Sequence, residues 1–145
     1  MELEVRDQVL VRVSPLKGIK RFGKKGKLAP RFVGPFPVIA KVGPVAYQID
    51  LPEPLQQIHD VFHVSSLKNY RRCEGALWHI PFEDIDLQPD VSYEEQPVAI
   101  LEFGERKLRS RVVPLVRVHW SHHHASESTW EREDEMREKY PHLFL

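Results

Sequence analysis

The chain has 145 residues, which is enough for one ordinary domain or two small ones. Hydrophobic residues make up 41% of it, so it can bury a core, and wholesale disorder is excluded. Its formal net charge is zero because 21 Lys and Arg balance 21 Asp and Glu. No apolar run approaches the ~18 residues of a membrane span, and the N-terminus lacks the pattern of a secretory signal. The single cysteine, Cys73, excludes an internal disulfide framework and fits a reducing compartment.

The neutral total conceals two halves of opposite charge. Residues 1–72 contain 13 Lys and Arg against 6 Asp and Glu, and residues 73–145 contain 8 against 15. The first half therefore favours binding to a polyanion. Mutual neutralisation of the two halves is the alternative, although the positive residues form a local run rather than a spread face.

Short apolar patterns with a period of two predict strands in the first half. One strand runs from Val9 to Val13 and is predicted to end at Ser14-Pro15. A second lies between Val38 and Val42, and a third runs from Val45 to Leu51. The segment Ile58–Tyr70 predicts one more short strand and a helical turn. Several short strands separated by turn residues favour a small closed barrel.

A basic run between the first two strands is the strongest local charge feature. Glycines in it oppose regular structure, so we predict a long loop that can reach the phosphates of a nucleic acid. Such contacts are independent of sequence. A solvated loop and a nuclear import signal are the alternatives. The predicted nucleic-acid-binding residues are Lys17, Lys20, Arg21, Lys24, Lys25, Lys27 and Arg31.

An acidic stretch follows the predicted barrel. Residues 73–95 contain seven acids and no Lys or Arg, and Pro81 and Pro89 interrupt any helix. We therefore predict a first domain at residues 1–72 and an acidic linker at residues 73–92. The apolar residues Trp78 and Ile80 indicate that part of this stretch packs against something.

A second folded unit is predicted at residues 93–145. Its pattern indicates a strand at Val98–Phe103, a charged turn at Glu105–Arg111 and a strand at Val116–Trp120. Ser128–Glu131 has the spacing of a capping box, and Glu133–Tyr140 is rich in helix formers. The predicted fold class is thus mainly β with a C-terminal helix: a small barrel, then three strands closed by a helix.

Two sequences in the first half resemble a known family. "PRFVGPFPVIAKVGPVAYQIDLP" followed by "IHDVFHVSSLKNY" resembles the C-terminal segment of integrases from gypsy-type long-terminal-repeat retrotransposons. That segment is named for its Gly-Pro-Tyr/Phe motif, here Gly34-Pro35-Phe36, and the resemblance covers residues 3–72. It implies an SH3-like barrel that holds DNA, in which the motif and Tyr47 maintain the fold. One departure is Val5-Arg6-Asp7, where the family usually has Val-Gly-Asp.

The second unit resembles a chromodomain, most clearly where Trp130 follows Trp120 by ten residues. In methyl-lysine-reading chromodomains three aromatic rings surround the ammonium group through cation–π attraction. The resemblance places Trp120 at the second ring and His123, a poor π donor, at the third. Tyr93 substitutes for the first ring if the strand slips, and Glu127 stands where an acid flanks the cage. Both tryptophans are alternatively core residues, and addition of a peptide as an edge strand needs no complete cage.

Other chemistry is not indicated by the sequence. The histidines at 119 and 122–124 have no nearby cysteine, and the three consecutive ones lie on a loop where their side chains point apart, so no metal site or cofactor is predicted. Cys73 has no companion for a catalytic pair. We therefore expect a protein that is not an enzyme.

The combined expectation is a non-catalytic, DNA- and chromatin-binding tail of a retrotransposon integrase in the nucleus, which directs integration to chromatin. Its expected partners are DNA, bound independently of sequence, histone tails or another chromatin protein, and the remainder of an integrase. No membrane is expected among them. The alternative is an autonomous chromodomain reader of chromatin with no integrase partner.

Overall fold

The computed structural model describes residues 2–21, 24–72 and 78–145. The fold is mainly β with a C-terminal helix, which confirms the predicted class. The strands are β1 (Gln8–Arg21), β2 (Lys24–Lys27), β3 (Arg31–Gly43), β4 (Ala46–Ile49), β5 (Val61–His63), β6 (Leu67–Asn69), β7 (His79–Ile80), β8 (Ser92–Glu95), β9 (Pro97–Lys107), β10 (Val112–Trp120) and β11 (Thr129–Arg132). The α-helix is α1 (Glu133–Lys139), and short 3-10 turns lie at Glu53–Leu55, Val64–Ser66, Tyr70–Arg72, Phe82–Asp84, Ala125–Glu127 and Pro141–Phe144.

The chain divides into two compact units, and the division differs from the predicted one. Unit 1 comprises Met1–Pro15 and Pro30–Tyr93. Unit 2 comprises Leu16–Ala29 and Glu94–Leu145. The basic run from Lys17 to Lys27 therefore belongs to the C-terminal unit, Arg31 belongs to the first unit, and so does most of the predicted acidic linker.

Unit 1 is a curled sheet built around β3. The first part of β1 pairs antiparallel with β3, from Gln8 opposite Pro37 to Val13 opposite Arg31. β4 pairs with the second part of β3, and β5 pairs with β4. β6 pairs antiparallel with the other edge of β1, and β7 pairs parallel with the start of β3. Alternate residues of β1 point into the core, where Val9, Val11 and Val13 are at most 2% exposed.

Part of the predicted linker completes this core. Ile80 and Leu87 are buried in it, and Trp78 packs edge-on against Phe32 with ring centroids 5.0 Å apart. The backbone N–H of Ser14 donates to the carbonyl of Val91 over 3.0 Å. The linker prediction was therefore wrong for residues 78–92. Their acids face solvent while the apolar residues between them pack inward, so net charge concealed a buried pattern.

The Gly-Pro-Phe motif has the predicted structural role. Phe36 and Tyr47 are 3% and 1% exposed, and the Tyr47 hydroxyl accepts from the Leu3 N–H. Gly34 has φ of +139°, and a Cβ there would lie 2.9 Å from the carbonyl oxygen of Val9. Only glycine fits such a backbone at such close approach.

The basic run forms a β-hairpin instead of the predicted loop. β1 continues past Pro15 and pairs with β2, with Leu16 opposite Lys27 and Arg21 opposite Lys24. Proline is tolerated because it lies where β1 exchanges β3 for β2 as its partner, so no ladder hydrogen bond is lost there. Ile19 and Leu28 of this hairpin pack against the core of unit 2, and this burial stabilises the extended conformation.

Unit 2 is the antiparallel sheet β11-β10-β9 closed by α1 and the hairpin. Its core consists of Val116, Val118, Trp120, Met136 and Tyr140, all at most 5% exposed. The predicted helix is confirmed, with its acids in the first turn and its basic residues in the last. The capping-box prediction was wrong. The residue preceding the helix is Arg132, and Thr129–Arg132 is strand because it pairs with β10.

The turn before β1 holds a residue that is poorly suited to it. Arg6 has a left-handed φ of 79° at the position where the resembling family usually has glycine. Hydrogen bonds fix this geometry. The Arg6 N–H donates to the carbonyl oxygen of Val38, and the Glu4 N–H donates to an Asp7 carboxylate oxygen over 2.9 Å. A Cβ destabilises this conformation by about 1–2 kcal/mol.

Arg6→Gly is therefore expected to raise the free energy of unfolding by roughly 1 kcal/mol, measured by urea denaturation. Arg12→Gly is the matched control, since Arg12 is exposed in the extended strand β1. That change is expected to lower stability by about 0.5–1 kcal/mol. Loss of stability in both variants would show that Arg6 is not strained.

Candidate nucleic-acid and peptide surfaces

The first of the predicted phosphate-binding residues, Lys17, has an internal partner. Its Nζ lies 2.8 Å from Oε2 of Glu131, and the two side chains are 20% and 6% exposed. A buried carboxylate deprived of its cation is strongly unfavourable, so this ion pair anchors the hairpin within unit 2. Lys17 is a structural residue of the hairpin rather than one of its free charges.

Arg31 lies at the beginning of β3 and is buried. It is 5% exposed in unit 1, and its Nη1 donates to the carbonyl oxygen of Pro30 over 3.0 Å. A guanidinium at this depth does not present its fork to a phosphate. The placement argues against the predicted phosphate contact, because the alternation of β3 turns Arg31 inward with Val33.

The remaining predicted cations lie toward the end of the hairpin. Lys27 is exposed, whereas the side chains of Lys20, Arg21, Lys24 and Lys25 lie outside the described part of the structure. The backbone register places Lys20 opposite Lys25 and Arg21 opposite Lys24. Like charges directly opposite on paired strands destabilise a hairpin, so a bound polyanion would relieve that repulsion.

Trp120, the predicted cage ring, is part of a buried hydrogen-bond network. It is fully buried, and its Nε1–H donates to Oγ1 of Thr129 over 2.7 Å. The Thr129 hydroxyl in turn donates to Oε2 of Glu131 over 2.7 Å, and the same oxygen receives Lys17. Trp120 is therefore a core residue with a satisfied indole N–H. Sequence reasoning missed the network, although Thr129 and Glu131, two residues apart on a strand, share a face.

His123 is buried and bridges backbone oxygens. Its Nε2 lies 3.1 Å from the carbonyl oxygen of Ala29, and its Nδ1 lies 3.0 Å from that of Ser121. The carboxylate of Glu95, itself 1% exposed, also lies 3.3 Å from Nδ1. Polar contacts therefore hold the His123 ring inside unit 2.

The other two predicted cage residues also have structural surroundings. The Glu127 carboxylate accepts from the His124 N–H over 2.9 Å, and together they form a capping box on the turn Ala125–Glu127. Tyr93 is 2% exposed and belongs to the core of unit 1, whereas Trp120, His123 and Glu127 belong to unit 2.

Trp130 does not lie in the core, so the interpretation of both tryptophans as core residues is wrong for this one. Trp130 is 43% exposed because side chains alternate along β11, so that its ring lies on the face opposite to that of the buried Glu131. Its ring covers Gly104, where an added Cβ would lie 2.9 Å from an indole carbon. The indole thus shields backbone that a glycine would otherwise expose.

Tyr140 lies directly against the hairpin at Gly18. A Cβ on Gly18 would collide with the Tyr140 hydroxyl, which has no hydrogen-bond partner within the described structure. Burial, together with the nearby Glu94 carboxylate, raises the pKa of Tyr140 above its usual value. The glycine at position 18 is what allows the strand to pass over this ring.

Within residues 2–21, 24–72 and 78–145, no group of three or more His, Cys, Asp and Glu is placed to hold a metal ion. Among those residues there is also no helix with the length and apolar character needed to cross a bilayer. Cys73 lies outside the described residues.

Comparison with known proteins identifies a family that matches the N-terminal part and several relatives of the chain. Residues 6–71 match the family described as Tf2-1-like, SH3 domain, so this region is an SH3-like domain. The chain is also similar to the Tf2-3, Tf2-4 and Tf2-5 transposon polyproteins of Schizosaccharomyces pombe, with 49% identity over 93 residues in each case. The similarity covers 63% of this chain and 6% of each polyprotein. No solved structure matched.

These similarities support a relation to one small segment of retrotransposon polyproteins. The chain spans only a small part of the length of the curated relatives it matches.

Proposed function

We propose that this chain is a non-catalytic segment of a retrotransposon integrase, that the segment binds DNA independently of sequence, and that it tethers the integrase to chromatin in the nucleus. The observation that carries the proposal is the 49% identity with transposon polyproteins, together with the SH3-like match over residues 6–71. The remainder of the integrase would supply the catalytic residues.

The proposed DNA surface is the outer end of the β1–β2 hairpin. Its inner part is committed to the core of unit 2 through Ile19, Leu28 and the Lys17–Glu131 ion pair. The outer part carries the like-charged cross-strand positions and the exposed Lys27. Phosphate oxygens would neutralise this end and release counterions, which is the main source of sequence-independent affinity.

Replacing Lys24, Lys25 and Lys27 with Glu is expected to abolish retention of duplex DNA at about 100 mM salt. It should also reduce the slope of log K against log salt by roughly 0.9 for each phosphate that the hairpin no longer neutralises. Fluorescence anisotropy with labelled duplexes of two unrelated sequences measures both quantities.

The matched control is Arg12→Glu, Lys41→Glu and Arg71→Glu, which changes the net charge equally at exposed positions of unit 1. This variant is expected to retain most of the affinity. Equal losses in the two variants would show that overall charge, rather than the hairpin, determines binding.

The proposed chromatin contact is the free edge of β9. In the described sheet of unit 2, β9 pairs only with β10, and it carries the exposed apolar residues Val98, Leu101 and Phe103. An extended histone-tail segment would add to this edge as a strand, with backbone hydrogen bonds and apolar contacts. This mode does not require a methyl-lysine cage, which agrees with the structural roles of Trp120 and His123 in unit 2.

Histone H3 and H4 tail peptides are therefore expected to bind the full chain weakly, with affinities that differ less than about threefold between trimethylated and unmodified forms. The double variant Val98→Ser and Leu101→Ser should weaken binding, while Val112→Ser, a control on β10, should not. Isothermal titration measures these affinities. A tenfold or greater preference for the trimethylated peptide would contradict strand addition as the mechanism.

A further inference from the structure

The tip of the β9–β10 hairpin carries a second concentration of positive charge. Residues 105–111 read ERKLRSR, with four cations and one acid. All seven are exposed, as is Val112 after them. The sequence pattern predicted only a charged turn here, and the proposed DNA surface on β1–β2 does not include it.

The geometry makes this tip a free two-stranded ribbon. β11 pairs with β10 only from Leu115 to Val118. Beyond that point β9 and β10 continue alone, to Val112 opposite Lys107. A backbone hydrogen bond of 2.8 Å from the Leu108 N–H to the Arg111 carbonyl closes the loop. The ribbon is thus an ordered projection of the sheet.

In the part of the chain that the structure describes, the tip cations differ from the arginines of β10, β11 and α1 in having no internal partner. Arg117, Arg132 and Arg137 each pair with a carboxylate, at nitrogen–oxygen distances of 3.0, 2.8 and 3.0 Å. The hydrogen bond from Arg132 also lowers the pKa of Asp134. Within the described residues, the tip cations make no ion pair; they are Arg106, Lys107, Arg109 and Arg111.

We infer that this tip is a second DNA-binding element, which places its unpaired cations on the phosphates beside a groove of the duplex. Three of the four are arginines, whose planar fork matches two phosphate oxygens. The two strands lie about 4.8 Å apart, and a major groove about 12 Å wide admits such a ribbon. Leu108, 47% exposed at the tip, is too small an apolar surface to favour insertion into a lipid bilayer.

The test compares two triple variants of the full chain that remove equal charge from the same unit. Arg106→Gln, Arg109→Gln and Arg111→Gln remove unpaired cations, and Arg117→Gln, Arg132→Gln and Arg137→Gln remove paired ones. Binding to a labelled duplex of about 20 base pairs is measured across a salt series. The tip variant is expected to bind about tenfold more weakly, with a salt slope reduced by roughly 2–3, whereas the control is expected to change less than about twofold.

Equal weakening in the two variants, or unchanged binding by the tip variant, would overturn the inference. Loss of binding to vesicles containing phosphatidylserine, with DNA affinity unchanged, would assign the tip to a membrane surface and also overturn it. Thermal unfolding of each variant distinguishes weaker DNA binding from a failure to fold.

The variant at Lys24, Lys25 and Lys27 serves as a parallel arm. If only the variant at Lys24, Lys25 and Lys27 binds DNA normally, the proposed β1–β2 surface is rejected and the assignment of the tip stands. If only the tip variant binds DNA normally, the tip is rejected and the β1–β2 surface stands.

Discussion

The change of partner along β1 is the constraint on which the organisation of the chain depends. Up to Val13 the strand pairs with β3 inside unit 1, and from Leu16 it pairs with β2 inside unit 2. Pro15 lies between the two ladders, where a missing N–H removes no hydrogen bond. One continuous strand therefore contributes to two cores, and the basic hairpin is built into the same unit as residues 94–145, which contain 8 Lys and Arg against 10 Asp and Glu.

This arrangement divides the basic residues of the first half by environment. Lys17 is held by Glu131 beneath the hairpin, and Arg31 is buried at the start of β3. At the outer end of the hairpin, the register of β1 and β2 places positively charged residues directly opposite one another. Fold stability and the proposed polyanion binding thus involve different parts of the same short segment, and the repulsion at its end is the feature that a phosphate backbone would relieve.

The network from Trp120 through Thr129 and Glu131 to Lys17 explains why the cage residues do not form a peptide pocket in unit 2. The indole N–H and the buried carboxylate satisfy each other through the threonine hydroxyl, and the lysine supplies the neutralising charge. Polar groups buried this deeply require partners, and the partners come from the hairpin. The edge strand β9, with its exposed apolar residues, is the surface proposed for an extended peptide.

Local periodicity was sufficient to predict α1 and most strands of unit 1, although not β7, and the family resemblance implied the structural role of Gly34, Phe36 and Tyr47. These features depend on alternation, helix propensity and a backbone that only glycine adopts, all of which are local in sequence. The assignment of the basic run and of residues 78–92 failed because both depend on distant partners. Ile19 packs on residues about a hundred positions away, and the acids around Ile80 hide its burial from any count of charge.

The placement of the hairpin in unit 2 is tested most directly by methyl NMR of the full chain. Nuclear Overhauser cross-peaks are expected from the Ile19 and Leu28 methyl groups to the cluster of Val116, Val118, Trp120, Met136 and Tyr140. Random-coil methyl shifts for Ile19 and Leu28, without such cross-peaks in a spectrum where that cluster is itself well ordered, would contradict the account.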